Sequence, residues 1–462
     1  MIHSTAQIRN LVLTGHAGVG KTTLLEAMLF ASGAIKTAGS VEHGDTVSDT
    51  GAQEKSRSHS IDSCVASLDH ADTHFNIIDS AGHPDFCGGT LSALSAVETA
   101  LVVVNAMSGI EPGTRRMMLQ AQQRGLARML IVNKIDFDGA DLAALTEALR
   151  EEFGSECVPI NLPGSHGRRV VDCFSQTEGL TDFSSPAAVH QQIIEQIVET
   201  DEATLNQYLE RGEGSLTVPQ LHSAIEAGLR EGHIIPIFFV SARSGTGITE
   251  LLQFIAQCLP NPAEGNPPAF RRADGTVPTV LPDASAHVLA TVFKIINDPL
   301  AGKLAVFRVW QGTVRRDSQL LIDGASKPFK VNHLFRLQGK RQVEVDSAIP
   351  GDIVALAKVE EVHFNAVLHD ASDDKRITLQ APNFPIPEFG LALEATAKGH
   401  EQKLSAALAQ LAEEDPCFRV RHNKDLNETV VLGLSELHLK VIVERLREGY
   451  HVEVATHPPR GV

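Results

Sequence analysis

Near the start of the chain an apolar run, Leu11, Val12 and Leu13, leads into Gly15, four variable residues (His16, Ala17, Gly18 and Val19), then Gly20, Lys21, Thr22 and Thr23. This is the GxxxxGK[ST] spacing. It stands between a strand pattern and a helical one, with Leu24, Leu25, Met28 and Leu29 spaced for a single face. Few stretches narrow a fold as far. A backbone that curls its N–H groups around phosphate oxygens needs glycines, and a helix beginning near Lys21 points its positive end at them. Lys21 is expected to reach the outer phosphates and to assist catalysis there, and the Thr22 hydroxyl to ligate Mg²⁺. The whole run from Gly15 to Thr23 is read as nucleotide-binding, and the fold as opening with an α/β P-loop domain.

The segment over about 36–60 lacks helical or strand periodicity and is rich in Gly, Ser, Thr, Asp, Glu and His. A loop of that length is functional or disordered, and behind a phosphate loop it is where a first switch segment would lie. At its end, Arg57-Ser-His-Ser-Ile61, the Ser60 hydroxyl either completes a metal shell or belongs to a solvated loop. Strands expected over 64–68 and 74–78 follow, the second ending in Asp79-Ser-Ala-Gly82-His83. An acid at a strand end with glycine three positions on is the DxxG arrangement. Asp79 is expected to hold Mg²⁺ through water and the Gly82 N–H to sense a γ-phosphate. His83 either positions the attacking water or is a hydrogen-bonded loop histidine.

Two buried parallel strands are expected over 100–104 and 129–132, separated by a helix over 112–124. The second strand ends in Asn133-Lys134-Ile135-Asp136. A carboxylate at Asp136 can accept hydrogen bonds from guanine N1–H and the exocyclic amine, a pair that adenine does not offer, so the site penalises ATP. Asn133 would brace the loop and Lys134 lay its stem along the base. Ser241-Ala242-Arg243, after an apolar strand over 234–240, would bring backbone N–H groups to the guanine oxygen. Between Asp136 and Ser241 there is more chain than one strand–helix unit needs. The excess, about 157–232, is read as an inserted α+β subdomain with a small strand pair and helices near 188–210 and 218–230. A helix over 247–258 and a Pro-rich linker close a GTP-binding domain spanning 1–268.

From residue 285 to 372 short alternating strands are punctuated by Gly302, Gly312, Gly324, Gly339 and Gly351, which suggests an antiparallel β-barrel. Arg315, Arg316, Lys327, Lys330, Arg336, Lys340 and Arg341 gather here, as an RNA-facing patch or as a solvated barrel face. Over 383–457 the pattern reads βαββαβ, a ferredoxin-like α+β domain, with Glu436 and His438 in its second helix expected in packing or interface roles.

The chain has 462 residues, and three domains are a reasonable expectation. Its net charge of -17 argues against a broad nucleic-acid binder and leaves room only for local basic patches, so no DNA partner is expected. The six cysteines (64, 87, 157, 173, 258 and 417) lack paired or zinc-ligand spacing and read as reduced thiols of a cytoplasmic protein. No membrane partner is expected, and a monomer is.

The stretches GHAGVGKTT, FNIIDSAGHPDF, VVVNAMSGIEP and NKIDFDGAD resemble the translational GTPase elongation factor G. IVETDEATLNQYLE resembles that family's insert, VFKIINDPLAGKLAVFRVWQGTV its second domain, and SAALAQLAEEDPCFRV with LGLSELHLKVIVERL its third. The resemblance implies that Lys21, Thr22, Ser60 and Asp79 serve phosphate and Mg²⁺, that His83 aligns the water, and that Asn133, Lys134, Asp136 and Ser241 hold guanine. It also implies the ribosome, with its RNA, as partner. Several positions depart from the family pattern. Gly18 stands where the family carries Asp, Arg57-Ser-His-Ser-Ile61 where it reads RGITI, and Asp79-Ser-Ala-Gly-His83 where it reads DTPGH. These departures bear on the rate and triggering of hydrolysis more than on nucleotide binding, and mark a divergent paralogue. The chain stops where two further family domains would begin, so a fragment of a longer protein is expected.

Overall fold

The computed structural model describes residues 3–370 and 377–460; the expected limits at residues 1 and 372 lie outside them. Nine strands belong to the N-terminal unit: β1 (Ile8–Gly15), β2 (Cys64–His70), β3 (Thr73–Asp79), β4 (Thr99–Asn105), β5 (Ala127–Asn133), β6 (Cys157–Pro159), β7 (Asn161–Gly164), β8 (Arg169–Asp172) and β9 (Ile235–Phe239). Seven of them form one sheet in the order β2-β3-β1-β4-β5-β9-β6. It is parallel except at its edge, where β2 runs antiparallel to β3.

Alternation along the strands sorts their side chains to two faces. Leu11, Leu13, Val103, Met129 and Ile131 meet one group of helices: α1 (Lys21–Ala31), α6 (Pro186–Val198), α8 (Val218–Glu231) and α9 (Ile248–Cys258). Val102, Val104, Leu130 and Val132 face another, α4 (Pro112–Gln123) and α5 (Leu142–Phe153). Both faces are covered, which is why these strands are continuous apolar runs. Because β1 lies between β3 and β4, the strand order reverses there, and the carboxyl ends of β1, β3, β4, β5 and β9 open into one crevice.

The remaining helices of this unit are α2 (Ala52–Arg57), α3 (Cys87–Ala93) and α7 (Glu202–Arg211). The segment read as loop over 36–60 therefore contains one short helix. The stretch expected as one helix near 188–210 is two, because Asp201 caps α7 by accepting from Thr204 N at 2.8 Å. Strands β7 and β8 are the small pair expected in the insert. β6, where that insert was expected to start, is hydrogen-bonded to β9 within the main sheet.

The second unit is a curled antiparallel sheet of eight strands around Val292, Phe307, Leu334, Val354 and Leu356. Register shifts beside Leu289 and Val292 bend its longest strands, Leu289–Asp298 and Gly302–Gln311, into the barrel-like curl. A single strand was expected over 329–334. Instead one short strand ends at Lys330 and another, Leu334–Gln338, pairs with Arg341–Val345 across a turn at Gly339, whose φ is +61°.

The third unit runs strand Phe389–Ala395, helix α10 (Glu401–Glu414), strands Arg419–Asn423 and Glu428–Gly433, helix α11 (Glu436–Gly449) and strand Val454–His457. The four strands are antiparallel, with Phe389–Ala395 and Glu428–Gly433 at the centre. Leu404, Leu408 and Leu411 of α10 and Leu439, Ile442 and Leu446 of α11 pack against Leu393 and Val431. This is the split βαββαβ arrangement.

The units meet through shared apolar clusters and through polar bonds. Arg308 of the barrel donates to Ala96 O at 2.8 Å and to Glu98 Oε1 at 2.6 Å, with Trp310 4.0 Å beneath its guanidinium. Both charged side chains are at most 3 % exposed. Helix α2 lies against α11, where Arg57 donates to both oxygens of Glu444 at 3.0 Å and Gln53 to Val441 O at 3.1 Å. Among the described residues no helix is long and apolar enough to cross a membrane.

Candidate nucleotide site

Each motif stands at a strand end of the crevice. Gly15 closes β1 with φ +136°, and a Cβ there would sit 2.5 Å from Val103 O, so the turn tolerates only glycine. Gly20 is the left-handed cap of α1 (φ +95°), and its Cβ would meet Asn133 Nδ2 at 2.5 Å. The loop thus runs directly beneath Asn133-Lys-Ile-Asp136. Asn133 Nδ2 donates to Val19 O at 3.0 Å, and Lys134 Nζ to Gly18 O at 2.9 Å. Gly18 itself is exposed, with open space around it.

Lys21 is buried and folds back to donate to His16 O at 2.8 Å. Burial lowers its ammonium to about 8, and the nearby Asp79, Asp49 and Glu111 carboxylates oppose that shift. His16 Nδ1 accepts from Gly113 N at 3.2 Å, which ties the loop to α4. Gly82 rests on the loop so closely that a Cβ would collide with Lys21 Nζ and stand 2.7 Å from Ala17 N.

One cluster joins the loop, the DxxG strand end and the segments on either side of α2. Thr22 Oγ1 and Ser48 Oγ each donate to Asp79 Oδ2 at 2.7 Å. Thr22 Oγ1 is 3.1 Å from Ser60 Oγ, which in turn donates to Asp49 Oδ1 at 2.7 Å. Asp79 Oδ1 is fully buried without a partner, and burial raises its carboxyl to about 6. Burial also raises Asp49. An orphaned carboxylate oxygen among hydroxyls is a donor set for a hard cation. Among the described residues no three His, Cys, Asp or Glu side chains gather at a ready-made metal site. Mg²⁺ on a nucleotide takes one or two carboxylates and fills its shell with water and phosphate oxygens, so this cluster fits it.

Sequence reasoning missed Ser48 and Asp49, and also Glu26. The Glu26 carboxylate, 2 % exposed on α1, accepts from Gly39 N at 2.9 Å and from Val47 N, and so ties the first switch segment to the helix. The acids were visible in the sequence; their meeting was not.

At the base end, Asn133 Oδ1 accepts from Lys134 N at 2.8 Å and Ala242 N at 3.0 Å. The Ser241 N–H donates to Thr246 O at 2.9 Å. The Ser241 and Ala242 amides, part of the Ser241-Ala242-Arg243 element expected at the guanine oxygen, make these bonds within the protein. Asp136 Oδ1 is buried with no partner, an acceptor that protein groups leave unused. Thr23 is half-buried in the first turn of α1, beyond the cluster.

His83 follows Gly82 and is a third exposed. Its Nδ1 accepts from Asp85 N at 3.2 Å. Phe86 and His59 flank the ring with centroids 5.5 and 6.3 Å away, His59 nearly parallel to it. Across the interface, His438 Nε2 bonds Asp415 Oδ2 at 2.7 Å and its ring meets Phe86 edge-on, an interface role. Three of the seven basic residues singled out in the barrel have local acidic partners. Lys330 pairs with Asp317 at 2.9 Å, Arg316 with Asp346 at 3.5 Å and Arg336 with Asp352 at 3.7 Å.

Comparison with known proteins agrees with this architecture. The family model of the elongation factor Tu GTP binding domain matches residues 6–261, that of elongation factor G domain 2 matches 287–370, and that of elongation factor G domain III matches 384–458. The elongation factors G of Chlamydia trachomatis serovars D and A are each 30 % identical to the chain, over 98 % of it and 68 % of their own length. A crystal structure from Thermus thermophilus superposes with a TM-score of 0.84 at 32 % identity, covering 98 % of this chain and 68 % of that one. A guanine-nucleotide crevice, a barrel-like sheet and a split βαββαβ unit in this order place the chain in the elongation factor G family of translational GTPases, and it is a GTP hydrolase.

Proposed function

We propose that the chain hydrolyses GTP to GDP and phosphate on the ribosome, and that ribosome contact sets the rate. The single observation that carries the guanine reading is Asp136, whose Oδ1 is buried and unpartnered beneath a loop braced by Asn133. Guanine N1–H and its amine satisfy that carboxylate; adenine leaves it desolvated and unpaired, a cost of about 1–3 kcal/mol or more. Gly15 to Thr23 wrap the phosphates, with Lys21 directed at the outer ones. Thr22 and Asp79, with Ser60 and Asp49 beside them, would hold Mg²⁺, which would neutralise phosphate charge. Water attacks the γ-phosphate in line, with His83 holding that water and the Gly82 N–H facing the γ-phosphate. Arg57 and Arg243 are engaged by Glu444 and Glu42, and turnover by the isolated protein is expected to be slow until a partner contributes.

The first switch segment is the route for the trigger. It touches the third unit through Arg57–Glu444 and Asp62–Arg445, and the barrel through Lys340, which donates to Thr50 O at 3.4 Å. Movement of either unit on a ribosome is thereby felt at Ser48, Asp49 and Ser60. A second reading, a GTP sensor with weak hydrolysis, draws on the polar His59 ring stacked beside His83.

Single-turnover GTP hydrolysis with and without ribosomes separates the two. The hydrolase reading expects stimulation of at least tenfold, that is about 1.4 kcal/mol or more of barrier. Equal rates would overturn it and leave the sensor. GDP, and not ADP, is expected to displace a labelled guanine nucleotide.

A further inference from the structure

Cys87 opens helix α3, directly after the His83–Phe86 segment, and Cys417 follows α10 in the third unit. The two segments are in contact. A Cβ on Gly88 would stand 3.0 Å from Asp415 Oδ1, 3.3 Å from Pro416 Cγ and 3.3 Å from Cys417 Sγ. The Cys417 thiol therefore lies on the first turn of α3, the turn that Cys87 opens. The position of Cys417 is held from behind. Its N–H donates to Asp415 Oδ1 at 2.8 Å, while Asp415 Oδ2 is bonded by His438 Nε2 at 2.7 Å. Leu434 N donates to His438 Nδ1, so the ring proton sits on Nε2 and points at Asp415. Cys417 is 1 % exposed. Cys87 is 6 % exposed and lines a cavity of about 350 Å³ between α3, α4 and the segment over 383–386, with Asp85, Arg116 and Ile386 among its walls.

We propose that Cys87 and Cys417 are a peroxide-reactive dithiol that closes to a disulfide joining the GTPase domain to the third unit. The Cys87 thiolate attacks the terminal oxygen of hydrogen peroxide or an organic hydroperoxide, the O–O bond breaks, and the leaving hydroxide or alkoxide takes a proton to become water or an alcohol. Cys417, losing its thiol proton, then attacks the sulfur of the Cys87 sulfenic acid and releases water. The two thiols give up two electrons and the peroxide accepts them. The nucleophile is distinguished from the other five thiols by its surroundings. The neighbouring Cys417 thiol, together with Arg116, holds Cys87 below the ordinary thiol range against its burial. The neighbouring Cys87, and burial, push Cys417 upward, and burial pushes Cys64, Cys157 and Cys173 up to about 12. A low-lying thiol beside a cavity with a resolving thiol behind it is the arrangement this chemistry needs. The proposal goes beyond the hydrolase reading and does not rest on it.

The test exposes the reduced full chain to a small excess of hydrogen peroxide, blocks remaining thiols and maps peptides by mass spectrometry. The expected product is a Cys87–Cys417 cross-linked peptide pair, lighter by two hydrogens than its parts and reversed by dithiothreitol. In Cys417→Ser the sulfenic acid is expected to persist and be trapped by dimedone at Cys87, and Cys87→Ser should leave Cys417 as a thiol. The proposal is overturned if both thiols of the parent remain alkylatable, if Cys87 proceeds to sulfinic acid while Cys417 stays reduced, or if the cross-link joins another pair. The parent map decides even where a variant folds poorly.

Discussion

Asp79 is asked to carry charge at a place that resists it. Its carboxylate is wholly buried, and one oxygen has no partner. The sign of the consequence follows from linkage. Burial raises the folded carboxyl to about 6, above its unfolded value near 3.9, so between those values the native chain keeps a proton that the unfolded chain has released. Without Mg²⁺ and nucleotide, stability contributed by this group is therefore present below about pH 4 and is lost as pH rises through about 6. Asp79→Asn removes that slope. In EDTA at pH 7.5 it is expected to raise the unfolding free energy by on the order of 1–2 kcal/mol, while eliminating the effect of Mg²⁺ on GDP affinity. Denaturant titrations at pH 4, 6 and 7.5, with a parallel GDP titration, check both halves. A variant less stable than the parent at pH 7.5 in EDTA would contradict this account.

The first switch segment shows how an element without regular periodicity is nevertheless fixed in place. Its ties to α1 run through one side chain, Glu26, which accepts from the amides of Gly39 and Val47. Glu26→Ala removes the partner of two amides, each bond to a charged group being worth about 1.5–3 kcal/mol, and so should free residues 39–47 while leaving α1 folded. Hydrogen exchange at Gly39 and Val47 is expected to quicken by at least tenfold; unchanged protection there would show that other contacts hold the segment. This element also marks the limit of what was legible in the sequence. Gly15 to Thr23, Asp79 to Gly82 and Asn133 to Asp136 each carry their chemistry in a few contiguous residues at a strand end, so spacing alone exposed them. Ser48 and Asp49 reach Asp79 and Ser60, and Glu26 reaches the Gly39 and Val47 amides, only after distant parts of the chain have folded together. Helix α2 is too short for a periodic signal, and the three residues of β6 offer little pattern to read. The bonds that the Ser241 and Ala242 amides make within the protein were likewise not legible, because they are tertiary.

At the scale of the molecule, the three units meet through shared apolar clusters and polar bonds, the Arg308–Glu98 pair among them buried. Arg308 and Glu98 form the best-enclosed pair, and each is adequate only because the other is present. Arg308→Ala leaves Glu98 charged, buried and unmatched, and is expected to cost about 3–5 kcal/mol in chemical denaturation. The double change Arg308→Met with Glu98→Met should recover most of that loss, because two apolar side chains need no compensation. A single variant within 1 kcal/mol of the parent, a margin of about fivefold in the folded ratio, would show the interface to be weaker than its burial implies. The same enclosure explains how the crevice reports to distant surfaces. The segment ending at Ser60 is bonded to the third unit, and the His83 loop meets it through the side chains of Asp85 and Ser435. A hydrolase built this way responds to whatever repositions its second and third units. The most direct test is single-turnover GTP hydrolysis on ribosomes by the parent and by His83→Ala, with GDP affinity measured alongside. The account predicts GDP affinity within twofold of the parent and hydrolysis at least a hundredfold slower, about 2.7 kcal/mol of barrier. Equal hydrolysis rates in the two proteins would contradict it.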